Sequence, residues 1–198
     1  MANSIHCGRA VAWCSIPLIA SLALGASLAS TVHAADSLEL QVKAALLYNF
    51  AKFVEWPTDT RMAGASGSLA FCVFGDEPLF SVLTQSLSGK TINGRALIAR
   101  QVGGGQGVEH CNIAFIGTAD KKRMEEVLAV FAGAGVLSIS DLSQFARRGG
   151  MIEITRKAEK FAFVVNVDAV NRNGVRISSK LLQLAEVVHQ SDELGRKP

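Results

Sequence analysis

Histidine, cysteine and proline number only four each in this 198-residue chain, and tyrosine occurs once. Half of the histidines and cysteines (His6, His33, Cys7 and Cys14) fall in the first 34 residues, which read as a leader. His110 and His189 then remain, and they lie too far apart for the short ligand spacings of a zinc site. A Ser-His-Asp set would have to use one of these two, and no GxSxG elbow is present. His110 sits beside Cys111 at the start of a strand-like run. His189 is expected in the last turn of a final helix, where a cation is favoured. Glu125-Glu126 is expected on an exposed helix face. No GxxxxGK[ST] or helix-opening GxGxxG occurs. Gly103 to Gly107 (GGGQG) follows a strand without opening a helix, and Gly89-Lys90-Thr91 closes a helix. No catalytic residue, metal or cofactor is expected, and the chain reads as a binding protein, not an enzyme.

Charge is equally uninformative about polyanions. Arg9 supplies the positive start of the leader, Ala10 to Ala29 is small, apolar and uncharged, and Val32-His33-Ala34 matches a signal-peptidase site. Cleavage after Ala34 is the expectation, an uncleaved anchor the alternative. Removing 34 residues leaves 164, enough for one domain over 35–198. Losing Arg9 turns 20 basic residues into 19, against 17 acidic. That balance does not suit nucleic-acid binding. Lys121, Lys122 and Arg123 are followed at once by Glu125 and Glu126. Export places Cys72 and Cys111 in an oxidising compartment, where a bridge between them is expected and two buried thiols are the alternative. The spacing excludes a CxxC redox site. Closing a loop of about 40 residues is worth roughly 4 kcal/mol in the chain-entropy model.

What is present alternates between strand-like and helical patterns. Leu38 to Trp56 reads as a helix stopped by Trp56-Pro57. At about 100° per residue, Leu38, Val42, Ala45, Leu46, Phe53 and Trp56 share one side, and Leu40, Ala44, Leu47, Ala51 and Val54 lie opposite. Gln41, Tyr48, Lys52 and Glu55 form the polar strip. Such a helix is enclosed in its own domain or shared with a partner, and enclosure is expected. Leu69 to Phe74 and Cys111 to Ile116 are short apolar runs ending at Gly75 and Gly117, as buried strands would. Ala96 to Val102 and Val136 to Ile139 add two more. Asp76 caps a helix with Pro78 in its first turn and Leu79, Phe80, Leu83 and Leu87 inside. Thr118 caps another, through Met124, Val127, Leu128 and Phe131. Ser140-Asp141 opens a brief helix to Ala146. Met151 to Thr155 and Phe161 to Val167 pair as neighbours. A last helix, from Ser178 or Ser179, packs through Leu181, Leu184, Ala185 and Val188. The fold class is α/β: one layered sheet, mainly parallel with an antiparallel edge pair, helices on both faces.

Two glycine-containing turns carry exposed-looking arginines: Phe145-Ala-Arg147-Arg148-Gly-Gly150 and Asn171-Arg172-Asn-Gly-Val-Arg176. Arginines and aromatics at loop tips are the usual energetic anchors of an interface. Phe145, Arg147, Arg148, Arg172 and Arg176 are therefore the expected partner contacts. The second apolar side of the first helix, around Leu40, Leu47 and Val54, comes next.

Several segments, in order, resemble one family: KAALLYNFAKFVEWP, the Cys72 strand ending FG, CNIAFIG, VLSISDLSQFARRGGMIEI and FVVNVDAVNRNGVRISSKLLQLAEVV. From Leu38 to Val188 the chain is similar to the YfiR family, most specifically in FxxxGGMI, the N-x-x-A turn and ISSKLLQLA. The resemblance implies a periplasmic protein without catalysis that binds the periplasmic sensor of an inner-membrane diguanylate cyclase, YfiN, and holds it inactive. It also implies an outer-membrane YfiB-like lipoprotein that sequesters the repressor, a homodimer, and control of cyclic-di-GMP and biofilm. Cys72 and Cys111 match a family disulfide. A second family pair has no cysteines here. The rival reading is a small-molecule-binding subunit for another membrane sensor, such as a histidine kinase, with the solute at the C-terminal edge of the sheet.

Overall fold

The first described element is a helix, α1 (Ala29–Lys52), in a computed structural model that describes residues 29–56, 67–103, 107, 110–117, 121–158 and 160–189. β1 (Val54–Glu55) follows, then β2 (Leu69–Phe74), α2 (Glu77–Leu87), β3 (Thr91–Ile92), β4 (Arg95–Val102), β5 (Ile113–Ile116), α3 (Lys121–Phe131) and β6 (Leu137–Ser140). The chain continues with β7 (Ile152–Lys157), β8 (Lys160–Asn166), α4 (Val167–Arg172), β9 (Arg176–Ile177), α5 (Ser179–Leu182) and β10 (Glu186–Val188). The described residues from Asp36 onward cluster as one compact unit.

Eight strands form one sheet in the order β10-β8-β7-β6-β5-β2-β4-β3, and β1 pairs with β9 in a separate ribbon. Among the described residues, only β7–β8 and β3–β4 are antiparallel within the large sheet. β10 lies parallel to β8, so the β7–β8 pair is displaced from the edge it was expected to form.

Alternate residues of the central strands build two cores. On one face Phe71, Val73, Ile113 and Phe115 meet Leu47, Phe50 and Ala51 of α1 and Leu79, Leu83 and Leu87 of α2. On the other, Cys72, Phe74, Ala114 and Ile116 meet Met124, Val127 and Phe131 of α3. Burial on both faces is why these strands read as unbroken apolar runs. Asp76 caps α2 through Leu79 N at 3.0 Å. Cys72 and Cys111 form a disulfide with Cα atoms 5.8 Å apart. The cap expected at Thr118 lies outside the described residues.

Several expectations are corrected. The first helix ends at Lys52, short of Trp56. The chain then turns, because Val54 and Glu55 pair with Ile177 and Arg176 and Ser178 N donates to Phe53 O at 2.9 Å. Trp56 donates its indole N–H to Asn112 O at 3.2 Å instead of extending the helix. The segment after Ser140 is a series of turns, not a helix. The last helix is one turn long: α5 ends at Leu182, Leu184 is 75% exposed, and Glu186 to Val188 pair with Val164 to Asn166. His189 accordingly follows a strand, its Nδ1 3.4 Å from Asp168 Oδ1. α1 buries Ala44, Leu47, Phe50 and Ala51 and exposes Leu38, so it is enclosed on one side only. Leu47 and Val54, offered as a reserve contact surface, belong to the core.

Candidate binding surface

The turn from Asp141 to Gly150 is held by polar side chains on the neighbouring strands, buried at Ser138, Ser140 and Asn166 and half-buried at Glu153. Glu153 of β7 accepts Gln144 N on Oε1 at 3.0 Å and Ala146 N on Oε2 at 3.2 Å. Asn166, fully buried at the end of β8, donates Nδ2 to Ala146 O at 2.6 Å and accepts Ala169 N at 2.9 Å as the cap of α4. Ser140 Oγ accepts Leu142 N, and Ser138 Oγ accepts Met151 N, both at 3.1 Å. A buried carbonyl or amide left without such a partner costs about 1–3 kcal/mol, so these four side chains dictate the path of the turn. Gln144 sits at φ +64°, a left-handed conformation uncommon for a side chain of its size.

Phe145 is the correction among the expected contacts. Its ring is wholly buried in the α3-side core, packed against Gly150. An apolar ring of that size is worth more in the core than at a wet loop tip, and the turn is wound around it. Arg147 and Arg148, the next two residues, are exposed. Arg172 and Arg176 are also exposed, but at a different place. Arg172 ends α4, roughly 9 Å along the helix from its Asn166 cap. Arg176 faces Glu55 across the β1–β9 ribbon. Asn173 Oδ1 in this second turn accepts Gly133 N, behind α3, at 2.9 Å. α4 thus connects the two arginine sites and holds them apart.

Sequence reasoning missed Glu153 and Ser138, named Ser140 only as the opener of a helix, and met Asn166 only within the N-x-x-A turn. The signal at Asn166 was a cap pattern, an asparagine followed three residues later by the first buried helical residue.

A second charged cluster ties α1 to the same turn. Lys43 Nζ lies 2.6 Å from Asp141 Oδ2 and 2.8 Å from Glu39 Oε1, and Arg156 reaches Glu39 Oε2 at 2.5 Å. Burial disfavours the charged form of Lys43, but hydrogen bonds to Asp141 and Glu39 outweigh it and raise its pKa above the ordinary lysine value. The hydrogen bond from Lys43 likewise holds Glu39 below the ordinary carboxylate range. These residues, with Ser143, Thr155 and Phe161, line a cleft of about 230 Å³ just beyond the carboxyl end of β6. Its charges are engaged with one another. Among the described residues no group of three metal-ligating side chains comes together and no helix is long and apolar enough to cross a membrane.

The family model described as YfiR/HmsC-like matches residues 40–186, which spans every element from α1 to the start of β10. The chain belongs to the YfiR/HmsC-like family. This is a regulatory, non-catalytic family of the periplasm that acts in cyclic-di-GMP signalling with a membrane signalling protein. Among solved structures, the chain is similar to a conserved domain protein from Vibrio cholerae O1 biovar El Tor, at TM-score 0.51 and 12% identity. The match covers 75% of this chain and 59% of the Vibrio one, and at that identity it speaks for the fold alone. In this YfiR/HmsC-like chain the FxxxGG stretch joins a buried ring to the turn that displays Arg147 and Arg148.

Proposed function

We propose that this protein is a periplasmic repressor that binds the sensor portion of an inner-membrane diguanylate cyclase and lowers cyclic-di-GMP output. The observation that carries the reading is the YfiR/HmsC-like match over residues 40–186. The turn at Asp141 to Gly150 supports it, because four side chains, three of them buried, pre-order a loop that carries two exposed arginines. A rigid anchor loses less entropy on binding. Stoichiometric repression requires that the protein bind one conformation of its target better than the other. Export with cleavage after Ala34, a homodimer and sequestration by a YfiB-like outer-membrane lipoprotein complete the proposal.

Deleting the gene should raise cyclic-di-GMP and surface attachment, and overexpression should lower both. Unchanged levels in both strains would remove the cyclase as target. Arg147→Ala with Arg148→Ala should weaken capture of the target by at least about 2 kcal/mol, roughly 30-fold, with the melting temperature unchanged. The solute-binding alternative would place its ligand in the cleft at Glu39, Lys43 and Asp141, and a thermal-shift ligand panel tests it directly.

A further inference from the structure

We propose that the end of the sheet at the amino termini of β2, β4 and β5 is a docking surface for an anionic phospholipid bilayer. Parallel strands need crossover connections, which return the chain to this one edge before each strand begins. Lys90 follows α2 there, and its carbonyl accepts Leu97 N at 3.1 Å, beside Leu69 at the start of β2. Arg95 opens β4 and donates to Gly67 O at 3.2 Å and Ser68 O at 2.7 Å, just ahead of β2. Trp56 reaches Asn112 O, just ahead of β5, so α1 ends here too, with Lys52 and Phe53. The β1–β9 ribbon carries Arg176, and Ser178, whose N–H donates to Phe53 O, opens α5 with Lys180. The second arginine turn thus joins a basic end of the molecule.

Lys52, Lys90, Arg176 and Lys180 are exposed, and Arg95 is half-buried. Among the described residues none of the five closes an ion pair with a carboxylate, although Glu55 stands opposite Arg176 in the ribbon. The two carbonyls orient Arg95 without cancelling its charge. Lys52 and Lys90 are drawn to one ring: their Nζ atoms lie 4.2 and 4.8 Å from the Tyr48 centroid. The two ammonium groups are therefore within about 9 Å of each other, inside one screening length at ordinary salt, and repel. An anion supplied from outside relieves that repulsion. The near-balance of charge over the whole chain conceals this polarity.

The spread of the cations selects the occupant. A small anion or an acidic segment of a protein needs them to converge on a pocket or a groove. Here they sit on five segments of the chain: the end of α1, the α2–β3 link, β4, β9 and α5. Cations distributed over an end, with aromatic rings among them, match a planar array of phosphates above an acyl boundary. Lysine and arginine stems reach the headgroups, while aromatic rings settle at the interface. Tyr48 is half-buried against its two lysines, and Phe53, next to Lys52, is 36% exposed. Attachment through surface charge and one exposed ring is peripheral and reversible. Docked in this way, the Arg147–Arg148 turn, which follows the carboxyl end of β6, stays clear of the bilayer for a protein partner. The inference does not depend on that partner being a cyclase.

The test is co-sedimentation of the purified exported protein with vesicles of phosphatidylglycerol and phosphatidylcholine in equal parts. Binding should be at least about tenfold weaker to phosphatidylcholine alone, and at least about tenfold weaker in 0.5 M salt than at low salt. Each basic side chain near an anionic surface strengthens binding about fivefold, so Lys90→Glu should weaken it at least about tenfold. Lys180→Glu, on a separate element, should do the same, and both proteins should keep the parent melting temperature. Lys160→Glu makes the same change in net charge at the β7–β8 turn, beyond the carboxyl end of β7, and should alter binding less than about twofold. Equal binding to neutral vesicles, equal loss in Lys160→Glu, or unchanged affinity in either Lys90→Glu or Lys180→Glu would overturn the proposal. So would tighter binding to poly-glutamate than to the anionic vesicles, which would assign this end to an acidic protein. Cyclic-di-GMP levels in the deletion strain report separately on the cyclase reading.

Discussion

Gly150→Ala should be among the most damaging single-methyl additions available in this protein. A Cβ on Gly150 would overlap Cδ1, Cε1 and Cζ of the Phe145 ring, and that ring has no exposed surface. Overpacking of a well-filled core costs about 1–3 kcal/mol when neighbours yield. Here the obstacle is a whole aromatic edge, and loss of a buried phenylalanine costs about 3–5 kcal/mol. The expected destabilisation therefore lies between about 2 and 5 kcal/mol. At roughly 2–4 °C per kcal/mol for a domain of this size, the melting temperature should fall by about 4–20 °C. Urea unfolding followed by Trp56 fluorescence measures it. Phe145→Leu should partly rescue Gly150→Ala, with a coupling of at least about 1 kcal/mol, because the smaller side chain clears the space. Gly149 is the control. Its φ of +102° disfavours a side chain, but nothing lies near its added Cβ, so Phe145→Leu should leave the cost of Gly149→Ala unchanged. If Gly150→Ala is within about 0.5 kcal/mol of the parent, the steric reasoning is wrong.

Cys72→Ser should lower stability by about 2–5 kcal/mol, and alkylation of the parent protein without reductant should find no free thiol at Cys72 or Cys111. Asn166→Ala removes the α4 cap and strands the Ala146 carbonyl, so it should cost about 2–3 kcal/mol and weaken any binding through Arg147, while Asn171→Ala, at an exposed site, should cost less than about 0.5 kcal/mol. Glu39 has a folded pKa below 4.5, so its contribution is present above that value and is lost as pH falls through the depressed one; Lys43 has a folded pKa above 10.5, so its contribution is full below 10.5 and is lost as pH rises through the elevated one. Replacing Lys43 with methionine should flatten the acid limb of a stability-versus-pH curve, and an unaltered limb would show that the cluster is energetically silent.

The parts of the fold legible in sequence are those whose burial is uniform. LAFCVF and CNIAFI are covered on both faces, so their pattern needs no partner to be read. Segments whose state is set by distant pairing were not legible. LLQLAEVV has helical spacing at Leu181, Leu184, Ala185 and Val188. Yet Glu186 to Val188 find a free edge on β8, and two of those three residues are β-branched valines that suit a strand. Val54 and Glu55 leave the helical path for a ribbon with residues more than 120 positions later. No local pattern records either event.

The arginine turn was misread for a more instructive reason. Phe145, Arg147, Arg148 and Gly150 look alike in sequence, as residues of one loop with binding chemistry. The structure divides them by direction. Phe145 and Gly150 face inward and fit each other, while Glu153 and Asn166 hold the backbone between them. The arginines are exposed because the residues on either side are not. A motif of this kind encodes packing and display in the same few positions, so losing the packing residues should cost function as heavily as losing the arginines. The two failures differ in one measurable respect. A Gly150→Ala protein should recover binding when stabilised elsewhere only if the turn recovers its path, whereas Arg147→Ala with Arg148→Ala should remain defective at any stability.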